Sequence, residues 1–145
     1  MSPSIPRPHS KPPAVLVVED DPIIGLDLCE TFTDLGYVSV HNATSVSQAL
    51  IILETQSIAL AVLDYVLERG ATSLPVADNL LVRSIPYLFI TGVSDYDGFG
   101  KGIPFRHAAA PRIEKPFVPT TLKATLMHLL QGRPHLLPTA GTTLE

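Results

Sequence analysis

The chain has 145 residues, 46% of them hydrophobic, which suits one globular domain with one sizeable core. Ten Lys and Arg against fourteen Asp and Glu give a net charge of −4, so no basic stripe supports nucleic-acid binding or polybasic attachment to a membrane. A single cysteine, Cys29, excludes an internal disulfide and any CxxC motif, and it reads as a small apolar residue on a helix. No apolar run approaches the roughly 20 residues of a membrane span. The Pro-rich start lacks the apolar core of a signal peptide, so the expected location is cytoplasmic.

Residues 1–13 contain five prolines and read as a flexible arm. Ala14–Val18 is a short continuous apolar run, as in a strand buried on both faces. Helical patterning starts at Pro22, with Ile24, Leu28, Phe32 and Leu35 near one face, and Gly36 is placed to end it. Tyr37–His41 alternates like a strand. Ser45 and Gln48 fit a capping box, ahead of Val46, Ala49, Leu50 and Leu53 at helical spacing. Ile58–Leu63 is a buried strand running into Asp64, and Leu74–Ser84 reads as a helix with Pro75 in its first turn. Tyr87–Ile90 is a fourth strand. The Gly-rich stretch Asp95–Gly102 leaves room only for a short or mobile fourth helix. Arg112–Glu114 is a short fifth strand, and Pro119–Leu130 a last helix with Leu122, Leu126, Leu129 and Leu130 inward. Gly132 and Pro134 close it, which sets a folded domain at 14–131 and a flexible tail at 132–145.

Buried strands alternating with helices imply parallel βαβ units in an open α/β sheet with helices on both faces. Such a sheet binds ligands beyond the carboxyl ends of its strands. The residues at those ends are reactive. Glu19, Asp20 and Asp21 follow the first strand, Asp64 the third, Thr91 the fourth and Lys115 the fifth. Asp21 directly precedes Pro22 and reads as a helix cap. The other acids would repel one another, which a hard divalent cation such as Mg²⁺ relieves. Lys115 supplies a charge for a phosphate and Thr91 a hydroxyl. These parts suit phosphoryl transfer to a carboxylate nucleophile. Any one of them alone would be a cap, a turn residue or a solvated charge; the joint order carries the reading. The five histidines show no ligand spacing and read as structural or exposed.

The motifs VLVVEDDP at Val15–Pro22, VLDYVL at Val62–Leu67, FITG at Phe89–Gly92 and EKPF at Glu114–Phe117 resemble those of response-regulator receiver domains of two-component systems. The resemblance covers roughly Ala14 to Leu130. It implies the flavodoxin-like strand order 2-1-3-4-5. It implies Asp64 as the phosphoacceptor, Thr91 as the switch hydroxyl and Lys115 as the partner of the phosphoryl group. It implies Mg²⁺ held by Asp20 and Asp64, by the backbone carbonyl of Val66, and by Glu19 mainly through water. It also implies a cis Lys115–Pro116 bond. The implied partners are a histidine kinase or phosphotransfer protein upstream and a downstream protein, with no nucleic acid and no membrane. A homodimer through the last helix and strand face is compatible with the resemblance but forced by nothing in the residues.

Two departures stand out. Arg112 occupies the position, three before the lysine, where most receivers carry an aromatic relay residue; a charged contact with a partner, Asp95 or Asp97 is the expected substitute. The short stretch from Asp64 to Thr91 and the long one from Thr91 to Lys115 resemble stand-alone receivers with a Phe-Ala-Thr-Gly motif. Here that motif carries Ile90, and Tyr96 falls out of register. The chain is thus expected to be a phosphoacceptor rather than an enzyme. A phosphatase with an aspartate nucleophile would want an acid two residues on, where Val66 stands. A degenerate receiver, binding a partner without phosphorylation, is the remaining alternative.

Overall fold

The computed structural model describes residues 12–92 and 102–138. Five strands, β1 (Ala14–Val18), β2 (Ser39–Ala43), β3 (Ile58–Asp64), β4 (Tyr87–Thr91) and β5 (Arg112–Glu114), form one parallel sheet in the order β2-β1-β3-β4-β5. Among the described residues four α-helices accompany them: α1 (Pro22–Asp34), α2 (Val46–Thr55), α3 (Leu74–Val82) and α4 (Pro119–Leu129). The expected strand order holds, and each βα unit has the length that a parallel crossover needs.

Side-chain alternation splits the core in two. Val15, Val17, Leu60, Val62, Leu88 and Ile90 face α1 and α4, where Leu28, Phe32, Leu122 and Leu126 close over them. Leu16, Val18, Ala61, Leu63 and Phe89 point the other way, against Ala49 and Leu53 of α2 and Val76, Ala77 and Leu80 of α3. Strands buried on both faces cannot alternate polar with apolar, which is why β1 and β3 read as unbroken apolar runs.

The helix starts follow from their caps. Asp21 accepts the backbone N–H groups of Ile23 and Ile24, at 2.8 and 3.2 Å, which fixes the first turn of α1. Ser45 accepts from the N–H of Gln48 at 3.1 Å. The Gln48 side chain reaches back to the N–H of Thr44 at 2.8 Å, one residue earlier than in the usual capping box. Gly36, at φ 111°, takes the left-handed turn that ends α1.

Three differences of boundary from the sequence reading have a clear physical cause. β2 starts at Ser39, not Tyr37. The Tyr37 N–H closes α1 on the Phe32 carbonyl, its ring packs edge-on to Phe32, and its hydroxyl donates to the Leu136 carbonyl at 2.9 Å. Secondly, α3 ends at Val82, because Ser84 turns to φ 58°. Thirdly, packing continues past residue 131: residues 134–136 form a 3-10 turn, and Leu136 and Leu137 lie against the α1–α4 half of the core. Most of the stretch expected to hold a short or mobile helix lies outside the described residues. Between β4 and β5 the described residues contain one 3-10 turn, Phe105–His107. No described helix is long and apolar enough to cross a membrane.

Candidate phosphoryl-acceptor site

The C-terminal edge of the sheet gathers the expected residues. β1 ends into Glu19 and Asp20, β3 ends at Asp64, and β5 runs into Lys115. They line an open cleft of about 390 Å³, with Val66 and Glu68 on its rim. Oxygens of Glu19, Asp20 and Asp64 lie within 4.8 Å of one another. Glu19 and Asp64 are buried, at 1% and 4% exposure, while Asp20 is half-buried.

Each side chain is held in place. One Glu19 oxygen accepts the Asp21 N–H at 3.1 Å, and the other has no hydrogen-bond partner, although the Lys115 ammonium stands 3.6 Å away. Lys115 approaches Asp64 more closely, 3.2 Å from Oδ1. Its backbone N–H donates to the Thr91 carbonyl at 2.8 Å, which ties the backbones of lysine and threonine together. Asp20 accepts the Glu68 N–H at 2.6 Å, which ties the loop after β3 to the acid pair. The Thr91 hydroxyl is fully buried and has no hydrogen-bond partner among the described residues, an uncommon state for a buried donor. The Lys115–Pro116 bond is cis.

Burial sets the electrostatics. Desolvation pushes the Glu19 carboxyl up to about 7, and the nearby Asp64 charge adds to it against the Asp21 N–H. Desolvation also raises Asp64, opposed by Lys115. Burial works against the charge on Lys115, but Asp64 and Glu19 outweigh it and hold the ammonium above its ordinary value. Three carboxylates around one lysine remain an under-neutralised set. Buried oxygens this close, one of them without a partner, suit a small hard divalent cation, and the donor set fits Mg²⁺.

The sequence did not signal two further features. His107 is buried; its Nε2 donates to Asp78 of α3 at 2.7 Å and its Nδ1 meets the Tyr87 hydroxyl. Arg106 grips the same carboxylate at 2.7 and 3.1 Å, and with His107 holds Asp78 below its ordinary value. The second feature is Tyr65, next to Asp64, whose hydroxyl donates to the Gly102 carbonyl at 3.0 Å. Both unite residues distant in sequence, so no local pattern announces them. Arg112 is exposed on β5, while Asp95 and Asp97 lie outside the described residues.

No family model matches the chain. It is 29% identical over 118 residues to the phyllosphere-induced regulator PhyR of Methylorubrum extorquens, across 80% of this chain. The match spans 43% of that protein, less than half its length. Among solved structures, SdrG from Sphingomonas melonis Fr1 is 33% identical, with 84% of this chain and 99% of that one covered and a TM-score of 0.68. The response-regulator receiver domain of Erythrobacter litoralis PhyR superposes over 89% of this chain and 96% of its own, at TM-score 0.68 and 24% identity.

Proposed function

Because the chain belongs to the response-regulator receiver family, we propose that it is a phosphoacceptor switch in which Asp64 takes a phosphoryl group from a phosphohistidine of a kinase or phosphotransfer protein. The observation that carries the reading is the buried Asp64 carboxylate with the Lys115 ammonium 3.2 Å away, at the strand-end edge beside the acid pair Glu19 and Asp20.

A carboxylate oxygen of Asp64 attacks phosphorus, an O–P bond forms and the P–N bond to the imidazole breaks. The electron pair stays on the leaving imidazole. Lys115 pairs with a phosphoryl oxygen, and the unpartnered Thr91 hydroxyl donates to another. A divalent cation held by Asp20, Asp64 and the Val66 carbonyl, with Glu19 through water, would neutralise the charge crowded between phosphoryl group and carboxylates. The Asp20 contact to Glu68 then couples the metal side of the site to the loop after β3.

Output is by protein contact. The exposed apolar side chains Leu81, Val82, Phe105 and Met127 offer surface for it, and the net charge of −4 disfavours nucleic acid. NMR with beryllofluoride and Mg²⁺, an aspartyl-phosphate mimic, tests the switch. Shifts centred on Thr91 and Lys115 in the wild type, absent in Asp64→Asn, are expected. A wild type that does not respond contradicts the proposal.

A further inference from the structure

The chain leaves β4 after Thr91 and re-enters the described structure at Gly102, and Tyr65 touches both places. Its backbone N–H donates to the Ile90 carbonyl at 2.9 Å, one peptide before Thr91. Its hydroxyl donates to the Gly102 carbonyl at 3.0 Å. Its own carbonyl accepts the Ser73 N–H at 2.9 Å, at the start of α3. The ring is buried and packs edge-on to Phe89, with centroids 5.9 Å apart, and Phe89 meets the His107 ring in the same way at 5.8 Å. The residue before Tyr65 is Asp64.

A ring packed on its edges and bonded at its tip follows its own backbone closely. Whatever displaces the Asp64–Tyr65 peptide or draws Thr91 inward must therefore reach Gly102. The far side of this segment is anchored separately, through His107 and Arg106 on Asp78 of α3. Tyr65, Tyr87 and Phe89 all belong to the core on the α2–α3 face of the sheet. On β5, the exposed Arg112 provides no buried ring for a route along that strand.

We propose that Tyr65 is a positioning residue that transmits the state of Asp64 to the Gly102–Ala110 segment through its hydroxyl bond to Gly102. This rests on Asp64 being the phosphoacceptor. Phosphorylation shifts the Asp64–Tyr65 peptide and the neighbouring Thr91, and the segment moves with the tyrosine hydroxyl. The read-out surface would then include the exposed Phe105, carried on that segment.

The test compares wild type, Tyr65→Phe and His107→Gln, each with and without beryllofluoride and Mg²⁺, by amide shifts and hydrogen exchange. Tyr65→Phe keeps the ring and removes only the hydroxyl. In the wild type, amides of Thr91, Lys115 and Gly102–Ala110 respond together. In Tyr65→Phe, Thr91 and Lys115 still respond, whereas the response of Gly102–Ala110 falls by about fivefold or more. His107→Gln loosens the segment with or without the ligand but keeps its response, which separates transmission from loss of packing. A Tyr65→Phe segment that responds as the wild type does overturns the proposal. So does an equal loss in His107→Gln. A wild type silent at Thr91 and Lys115 overturns the phosphoacceptor reading itself, and this inference falls with it.

Discussion

At the scale of single residues, Glu19 carries the clearest electrostatic consequence. Its carboxyl is pushed from 4.5 to about 7 by burial, so the folded state holds its proton more tightly than the unfolded chain does. Stability from this group is full below about pH 4.5 and is lost as pH rises towards 7, because the unfolded chain sheds the proton first. Without divalent cations, Glu19→Gln should therefore melt higher than the wild type at pH 8, by about 3–5 °C, with little difference at pH 4.5. Mg²⁺ should narrow that gap, since the charged Glu19 then gains a partner. Thermal melts at the two pH values, with and without Mg²⁺, check both statements. Lys115→Ala acts in the opposite sense: it leaves Asp64 and Glu19 without their cation and should weaken Mg²⁺-dependent beryllofluoride binding at least about tenfold, measured by titration. The places of Glu19, Asp20, Asp64, Thr91 and Lys115 were legible in the sequence, because they stand at the ends of four strand segments, with Glu19 and Asp20 sharing the first. Tyr65 and His107 were not. Their partners, Gly102 and Asp78, lie 37 and 29 residues away and share no pattern with them.

Elements follow the same division between local and distant causes. Caps are local, and α1 and α2 begin where Asp21 and Ser45 place them. Ser45→Ala, remote from the acid cleft, should cost about 1 kcal/mol in a denaturant titration and leave phosphoryl uptake unchanged. The end of α1 and the start of β2 depend on a distant contact. Tyr37–His41 alternates as strand residues do, yet Tyr37 is used to close α1 and to hold the Leu136 carbonyl. That same bond draws residues 134–137 onto the domain, although their composition reads as a loose tail. Tyr37→Phe tests it: amides of Leu136 and Leu137 should exchange faster, while those of β1 and β3 stay protected.

For the molecule as a whole, the two halves of the core share one sheet, so a loss on either side is felt by both. Phe32, fully buried on the α1 side, should cost about 3–5 kcal/mol when replaced by alanine, read as a lower midpoint in urea. The strand order was legible because buried apolar runs alternating with amphipathic helices leave few right-handed topologies. It is this topology that brings residues 19, 20, 64, 91 and 115 to one edge. The most direct measurement of that edge is the intact mass of the protein after incubation with acetyl phosphate and Mg²⁺, with Asp64→Asn beside it. The account predicts one phosphoryl group gained by the wild type and none by the variant. Equal uptake by both, or none by either, would contradict it.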